Sequence, residues 1–233
     1  MKGTLKDRKE VAKGTFRFTF VLDRTVNFQA GQYIYITIPK PLYDDNRGNR
    51  RHFTITNSPH DLDIVITTRI GPSAFKRTLT EAPLGTEVEL GPVEGNFTLP
   101  KDTEKSLVFI AGGIGVTPFM SMLDYIANQK LPYKITLIYS NRDKESTAYL
   151  DELEKWTKEI PDFKLFSTMT QDPNWLGEHG RVDINYIKKH LQELNSYLYF
   201  VSGPPGFVEA MKKVLGEAGV KNSNIRVENF TGY

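Results

Sequence analysis

Ser106–Pro118 reads SLVFIAGGIGVTP. Ser106–Ala111 is a nearly continuous apolar run, the composition of a strand covered on both faces. Ala111–Pro118 then turns on Gly112, Gly113 and Gly115 and opens a helix, with Thr117 able to cap it and Pro118 suited to its first position. Glycines between a strand and a helix let backbone N–H groups approach a pyrophosphate, and the helix N-terminus adds favourable partial charge. Pro118 stands where the third glycine of GxGxxG would be, so this is not that fingerprint, and a plain structural turn would use the same letters. The strand–turn–helix context selects anion binding.

Working downstream, a helix is expected over Thr117–Asn128, then the strand Lys134–Ser140 and a helix over Ser146–Glu159 with Tyr149, Leu150, Leu153 and Trp156 at helical spacing. The strand Phe163–Met169, a helix near Asp183–Leu194, the strand Leu198–Ser202, a helix over Pro205–Ala218 and the strand Ile225–Phe230 complete the series. Alternating β and α segments of this length imply an α/β doubly wound parallel sheet over residues 101–233.

Upstream, the pattern is different. Phe16–Leu22, Gln32–Ile38, His52–Thr56, Leu62–Ile70 and Glu87–Leu90 read as short strands, punctuated by Gly31, Pro39, Pro59, Gly71-Pro72, Gly85 and Gly91-Pro92. One helix is expected over Ser73–Glu81. This is the pattern of a closed antiparallel β-barrel, assigned to residues 1–100. The boundary falls in the polar, proline-containing stretch Leu99–Lys105. Lys2, Lys6, Arg8, Lys9 and Lys13 make the N-terminus basic, which reads as a solvated, edge-protecting charge set rather than a patch for an acidic partner.

Composition removes several chemistries. The 233 residues include no cysteine, so a disulfide, a thiolate nucleophile and a cysteine-held iron–sulfur cluster are unavailable. Four histidines (His52, His60, His179 and His190) show no metal-ligand spacing, and no metal site is expected. A net charge of +2 argues against nucleic acid as a partner. No stretch approaches the ~18 apolar residues of a membrane span, and no leader is evident, so a cytoplasmic location is expected. Redox chemistry, if present, falls to an organic cofactor.

Three further segments carry candidate sites. After the second parallel strand stand Ser140 and Arg142, whose hydroxyl and guanidinium suit a ribose 2′-phosphate and so favour NADPH slightly over NADH. Arg142 reads equally well as an ordinary exposed arginine, and Asp143 follows it. Gly203-Pro204-Pro205, after Ser202, places a loop where strand ends line a ligand crevice; a tight turn at a helix start explains the same letters. In the β-rich half, Arg51-His52-Phe53-Thr54 can hold a phosphate, an aromatic ring and a ring nitrogen, and Gly71-Pro72-Ser73 offers N–H groups and a hydroxyl to a second phosphate. Taken singly, Phe53 reads as core and Arg51 as surface.

In order and spacing, these segments make the chain resemble the ferredoxin–NADP⁺ reductase superfamily over nearly its whole length. The resemblance implies FAD in the barrel domain and NAD(P) in the second. Arg51-His52-Phe53-Thr54 is similar to that family's flavin motif, with Arg51 on the pyrophosphate, Phe53 on the isoalloxazine and Thr54 on its N5. Gly71–Ser73 resembles the second flavin-phosphate element, and Gly91-Pro92 through Phe97-Thr98-Leu99 the segment closing the barrel. Gly112–Pro118 resembles the NAD(P) pyrophosphate loop and Gly203–Pro205 the nicotinamide loop. Glu228, with Phe230 or Tyr233, resembles the family's C-terminal carboxylate and the aromatic that shields the flavin. Phe53 replaces the usual tyrosine, and Ser202 stands where many members carry cysteine.

The activity implied is a flavoprotein reductase moving a hydride from NAD(P)H to FAD, with Thr54, Ser202 and Glu228 at the reacting rings. Electrons would pass to an acceptor such as ferredoxin, flavodoxin or an oxygenase component. The alternatives are an NAD(P)H:flavin oxidoreductase releasing reduced flavin, and a flavin-bearing subunit active only with a partner.

Overall fold

The structure, a computed structural model, describes residues 1–102 and 104–230. Its contacts divide the chain into two compact units. Among the described residues, the first comprises Met1–Leu99 together with Thr117–Tyr125, and the second Pro100–Val116 and residues 126–230.

The first unit is built on β1 (Lys2–Ala12), β2 (Thr15–Leu22), β3 (Tyr33–Thr37), β4 (Arg50–Thr54), β5 (Ile64–Arg69), α1 (Ala74–Glu81) and β6 (Glu87–Glu94). The antiparallel strands run in the order β4-β3-β6-β1-β2-β5, and an Ile55–Ile66 bridge joins the two ends, closing the barrel. Period-2 alternation sends Phe18, Phe20, Ile34, Ile36, Ile64 and Ile66 inward, where Phe75 and Leu79 of α1 complete the core.

The basic N-terminus is solvated as read, with Lys2, Lys6, Lys9 and Lys13 exposed, but it guards no edge: β1 pairs with β2 on one side and β6 on the other. Arg8 donates to the carbonyls of Leu79 and Ala82 at 3.1 and 2.9 Å, satisfying the C-terminal end of α1. The strand escaped the pattern because Gly3 and Leu5 are its only fully buried positions.

The second unit contains β7 (Leu107–Gly112), β8 (Ile135–Asn141), α3 (Leu150–Glu159), β9 (Phe163–Met169), β10 (Glu178–His179), α4 (Ile184–His190), β11 (Leu198–Gly203), α5 (Pro205–Glu217) and β12 (Ile225–Asn229); α2 (Thr117–Gln129) follows β7 in sequence. The parallel order is β10-β9-β8-β7-β11-β12. The chain winds outward from β7 in one direction and then, from β11, in the other. The reversal puts a topological switch point between β7 and β11, where ligands bind in open α/β sheets. Val108 and Ile110, Ile138, Tyr199 and Val201 pack under α4 and α5.

Two helix starts differ from expectation. α3 begins at Leu150 rather than Ser146, because Asp143 folds Ser146 and Thr147 into a turn through bonds of 2.8 and 2.7 Å. Thr117 is the first helical residue of α2 and not its cap, since Gly113–Val116 already forms a 3₁₀ turn leading into it. α4 is also shorter than expected, ending at His190.

Candidate functional site

In the second unit, strand register assembles the carboxyl-end row of the sheet. Ala111 of β7 pairs with Ser202 of β11, and Ser202 with Glu228 of β12. Residues opposite one another in register share a face. Ser202 is fully buried, and its Oγ has no hydrogen-bond partner. Glu228 is half-buried, and its Oε2 is shielded from solvent and equally without a partner. Burial pushes the Glu228 carboxyl up to about 8. Such groups cost free energy as they stand, so the pair marks a place built for a polar ligand rather than for stability.

The glycines around the switch point divide into two kinds. A side chain at Gly115 would overlap the Ser202 carbonyl, and one at Gly112 or Gly203 would come within 2.7 or 2.9 Å of the Phe207 ring. These three let the β7 and β11 turns pack together. Gly113, at φ +54°, faces open space and leaves its backbone approachable. Pro204 caps α5, Pro205 begins it, and Phe230 N–H bonds the Gly203 carbonyl at 2.9 Å. Ser140 pairs with Gly112 in register, while Arg142 is exposed.

Sequence reasoning passed over Asn141, between them. It is 6% exposed, and neither atom of its amide has a partner. Its signal was parity: two residues after buried Tyr139, it continues the inward side of β8. Tyr233 lies outside the described residues.

In the first unit, β4 places Arg51 and Phe53 on one side of the strand and His52 on the other. Arg51 is 5% exposed; its Nη1 donates to the carbonyls of Arg47, Gly48 and Arg50, and its guanidinium lies 5.6 Å from the Phe75 ring centroid. Phe53 is buried in the barrel core, 5.7 Å from the Phe75 ring. His52 sits between Tyr33 and Tyr35, and its partial burial lowers its pKa. A cavity of about 330 Å³ lined by Tyr35, Arg47, Arg50, Arg51 and His52 opens beside this segment.

Thr54 is buried next in line, followed by Thr56, whose Oγ1 has no partner. Gly71 and Pro72 are exposed ahead of α1, and Ser73 is its N-cap. Ser73 is buried and, although positioned as the cap, makes no capping bond; its Oγ is unpartnered. Lys76, one turn further, is 8% exposed; its ammonium bonds the Arg69 carbonyl at 3.1 Å. Burial, and secondarily Arg51, hold it down at about 8. The donor set (two buried cations, a helix start and an unpartnered hydroxyl) fits a phosphate-bearing group. Among the described residues, no cluster of three or more His, Asp or Glu could hold a metal ion.

Residues 109–213 match the family model of the oxidoreductase NAD-binding domain. Over 98% of both chains, the structure superposes with TM-score 0.88 on the FAD/NAD-binding domain of nitric oxide dioxygenase from Vibrio cholerae, at 18% identity. A ferredoxin NADP⁺ reductase from Neisseria gonorrhoeae, solved with bound FAD and NADP, superposes with TM-score 0.83 over 100% of this chain and 98% of that one, at 18% identity. The chain thus shares the two-part fold of these FAD- and NAD(P)-binding proteins. Among curated proteins, it is 27% identical over 218 residues to reductase component 1 of terephthalate 1,2-dioxygenase from Comamonas sp, covering 92% of this chain and 62% of that protein. The chain therefore spans less than two thirds of the length of that relative. No helix among the described residues is long and apolar enough to cross a membrane.

Proposed function

We propose that the chain is an FAD-dependent NAD(P)H oxidoreductase that passes electrons to an acceptor such as an oxygenase component, ferredoxin or flavodoxin. The observation that carries the reading is the Ser202–Glu228 pair, whose buried, unsatisfied oxygens lie in register beside the glycine turns of the switch point. The likeness in sequence to an oxygenase reductase component supports it. When bound, FAD supplies the hydride acceptor and NAD(P)H the donor, so the chain needs no nucleophile.

The chain's own residues bind and orient. In this reading Ser202 bonds the carboxamide side of the nicotinamide, and Glu228 serves as a carboxyl kept protonated near neutrality that can donate a hydrogen bond. Gly112, Gly113, Gly115, Thr117 and Pro118 form the pyrophosphate turn, and Gly203, Pro204 and Pro205 the wall against the nicotinamide. Ser140 and Arg142 meet the adenosine ribose, and a 2′-phosphate there would make NADPH the preferred donor. Arg51 with Gly71, Pro72 and Ser73 holds the flavin phosphates, and Phe53 and Thr54 meet the ring. The protein works in the cytoplasm, as residues 1–100 and 101–233 acting as flavin and nicotinamide domains.

One observation favours a second reading, in which flavin is a loosely held substrate released after reduction: Phe53 brings no hydroxyl to the flavin site. The test for both is an absorption spectrum of the purified protein, followed by anaerobic bleaching with NADPH and with NADH. A yellow protein bleached by either supports the reductase, and loss of colour on gel filtration supports the second reading. A colourless protein that takes up no added flavin and consumes no NAD(P)H overturns both.

A further inference from the structure

Asp45, in the loop between β3 and β4, contacts both segments assigned above to a flavin phosphate. Its Oδ2 accepts the Ala74 N–H at the start of α1, at 2.9 Å. Its Oδ1 accepts the Arg47 N–H at 2.9 Å and lies 3.4 Å from Arg51 Nη2. One carboxylate thus bridges a helix N-terminus and a buried guanidinium, the pairing that elsewhere receives a phosphoryl group. Next to Ala74 is Ser73, 4% exposed, whose Oγ has no partner: a donor that the carboxylate does not use and a larger, tetrahedral anion would. Asp45 itself is not core, with 28% of its side chain exposed.

We infer that Asp45 is an internal occupant of the flavin-phosphate site and competes with the cofactor's phosphoryl group for Arg51 and the α1 N-terminus. The inference rests on the flavin reading above and goes beyond it by assigning what sets flavin affinity. A phosphoryl oxygen and the Asp45 carboxylate cannot share the Ala74 N–H, and two anions at hydrogen-bond separation repel. Hydrogen bonds from Ala74 and Arg47 hold the Asp45 carboxyl below its usual range, so it competes as an anion at neutral pH.

The loop that carries Asp45 is tethered. Tyr43 N–H bonds Thr78 Oγ1 at 3.2 Å, Tyr43 Oη bonds Glu81 at 2.5 Å, and the Arg77 guanidinium lies 3.7 Å from the centre of the Tyr43 ring. With the anchor on α1 two residues away, Asp45 is presented to the site at high effective concentration. Displacement requires only the segment around Asp45 to move, leaving the barrel strands in place.

The test is Asp45→Asn, which keeps an acceptor for Ala74 N–H and removes the charge. The apoprotein and the variant are titrated with FAD, FMN and riboflavin by flavin fluorescence, and with inorganic pyrophosphate by thermal shift. The expected result is FAD and FMN binding about two- to fivefold tighter in the variant, as for loss of one competing ion pair, with riboflavin unchanged because it carries no phosphate. Asp45→Ser gives the same direction if the Asn side chain holds its place by hydrogen bonding. FAD affinity that is unchanged or weaker in both variants overturns the inference. If neither protein takes up any flavin, the flavin reading itself falls, and pyrophosphate then decides: tighter binding in Asp45→Asn upholds the internal competitor, and equal binding removes it.

Discussion

Ser202 and Glu228 stand opposite one another in the register of β11 and β12, and each carries a buried oxygen that no hydrogen bond satisfies. Neither group sits there for stability. A serine hydroxyl and a carboxyl in that position lose solvation and gain no partner within the described protein, the condition under which polar groups are kept for a ligand.

Glu228→Gln tests the energetic side. The folded-state pKa of about 8 lies above the ordinary value of 4.5, so the native state holds the proton more tightly than the unfolded chain between those limits. Wild-type stability therefore falls as pH rises from about 4.5 to about 8. The glutamine variant lacks this slope. Denaturant melts should show the variant more stable by about 1–3 kcal/mol at pH 8, after allowing for partial exposure, with the gap closed at pH 4. A constant difference across the range would show that Glu228 ionises normally.

Lys76→Met makes the opposite comparison. Its ammonium titrates at about 8 in the fold against 10.5 ordinarily, so in that window the unfolded chain binds more protons. Wild-type stability should rise with pH across it, and Lys76→Met should be more stable by about 1–3 kcal/mol at pH 7 and level with wild type above pH 10.5. Urea unfolding at pH 7, 9 and 10.5 measures this. A variant that is less stable at every pH would mean the bond to Arg69 outweighs the buried charge.

Arg51→Ala tests the flavin assignment. Removing the guanidinium takes away its bonds to the carbonyls of Arg47, Gly48 and Arg50 along with its charge. The purified variant should be mostly apoprotein at micromolar concentration. Arg51→Lys keeps the charge without the fork and should fall between the two. Flavin absorbance per protein reads the result; full flavin content in Arg51→Ala would move the phosphate site elsewhere.

How much of this was legible varied with the range of the interaction. The second half was readable because parallel strands buried on both faces, such as Leu107–Ala111, are written as unbroken apolar runs. β1 was not, because a strand with charged residues on its outer side and only Gly3 and Leu5 fully buried carries little alternation. Ser202 and Glu228 stood out through resemblance alone. Their lack of partners is a property of packing that no local pattern records. Asp45 was invisible for the same reason: its contact with Ala74 spans 29 residues, and an aspartate in Tyr43-Asp44-Asp45-Asn46 reads as an ordinary loop.

The glycine turn separates packing from binding within one segment. At Gly115 a methyl group would overlap the Ser202 carbonyl, which is backbone and cannot swing aside. Gly115→Ala should therefore cost about 1–3 kcal/mol, by forcing the β7 and β11 turns apart, and lower the melting temperature. Gly113 has nothing near a new methyl group, and its cost is the left-handed backbone alone, about 1 kcal/mol. If its backbone N–H faces a pyrophosphate, Gly113→Ala should raise the KM for NAD(P)H far more than its small loss of stability, with kcat nearly kept. Steady-state kinetics with ferricyanide as acceptor, beside thermal melts of both variants, make the comparison. An unchanged KM in Gly113→Ala would leave the turn a purely structural one.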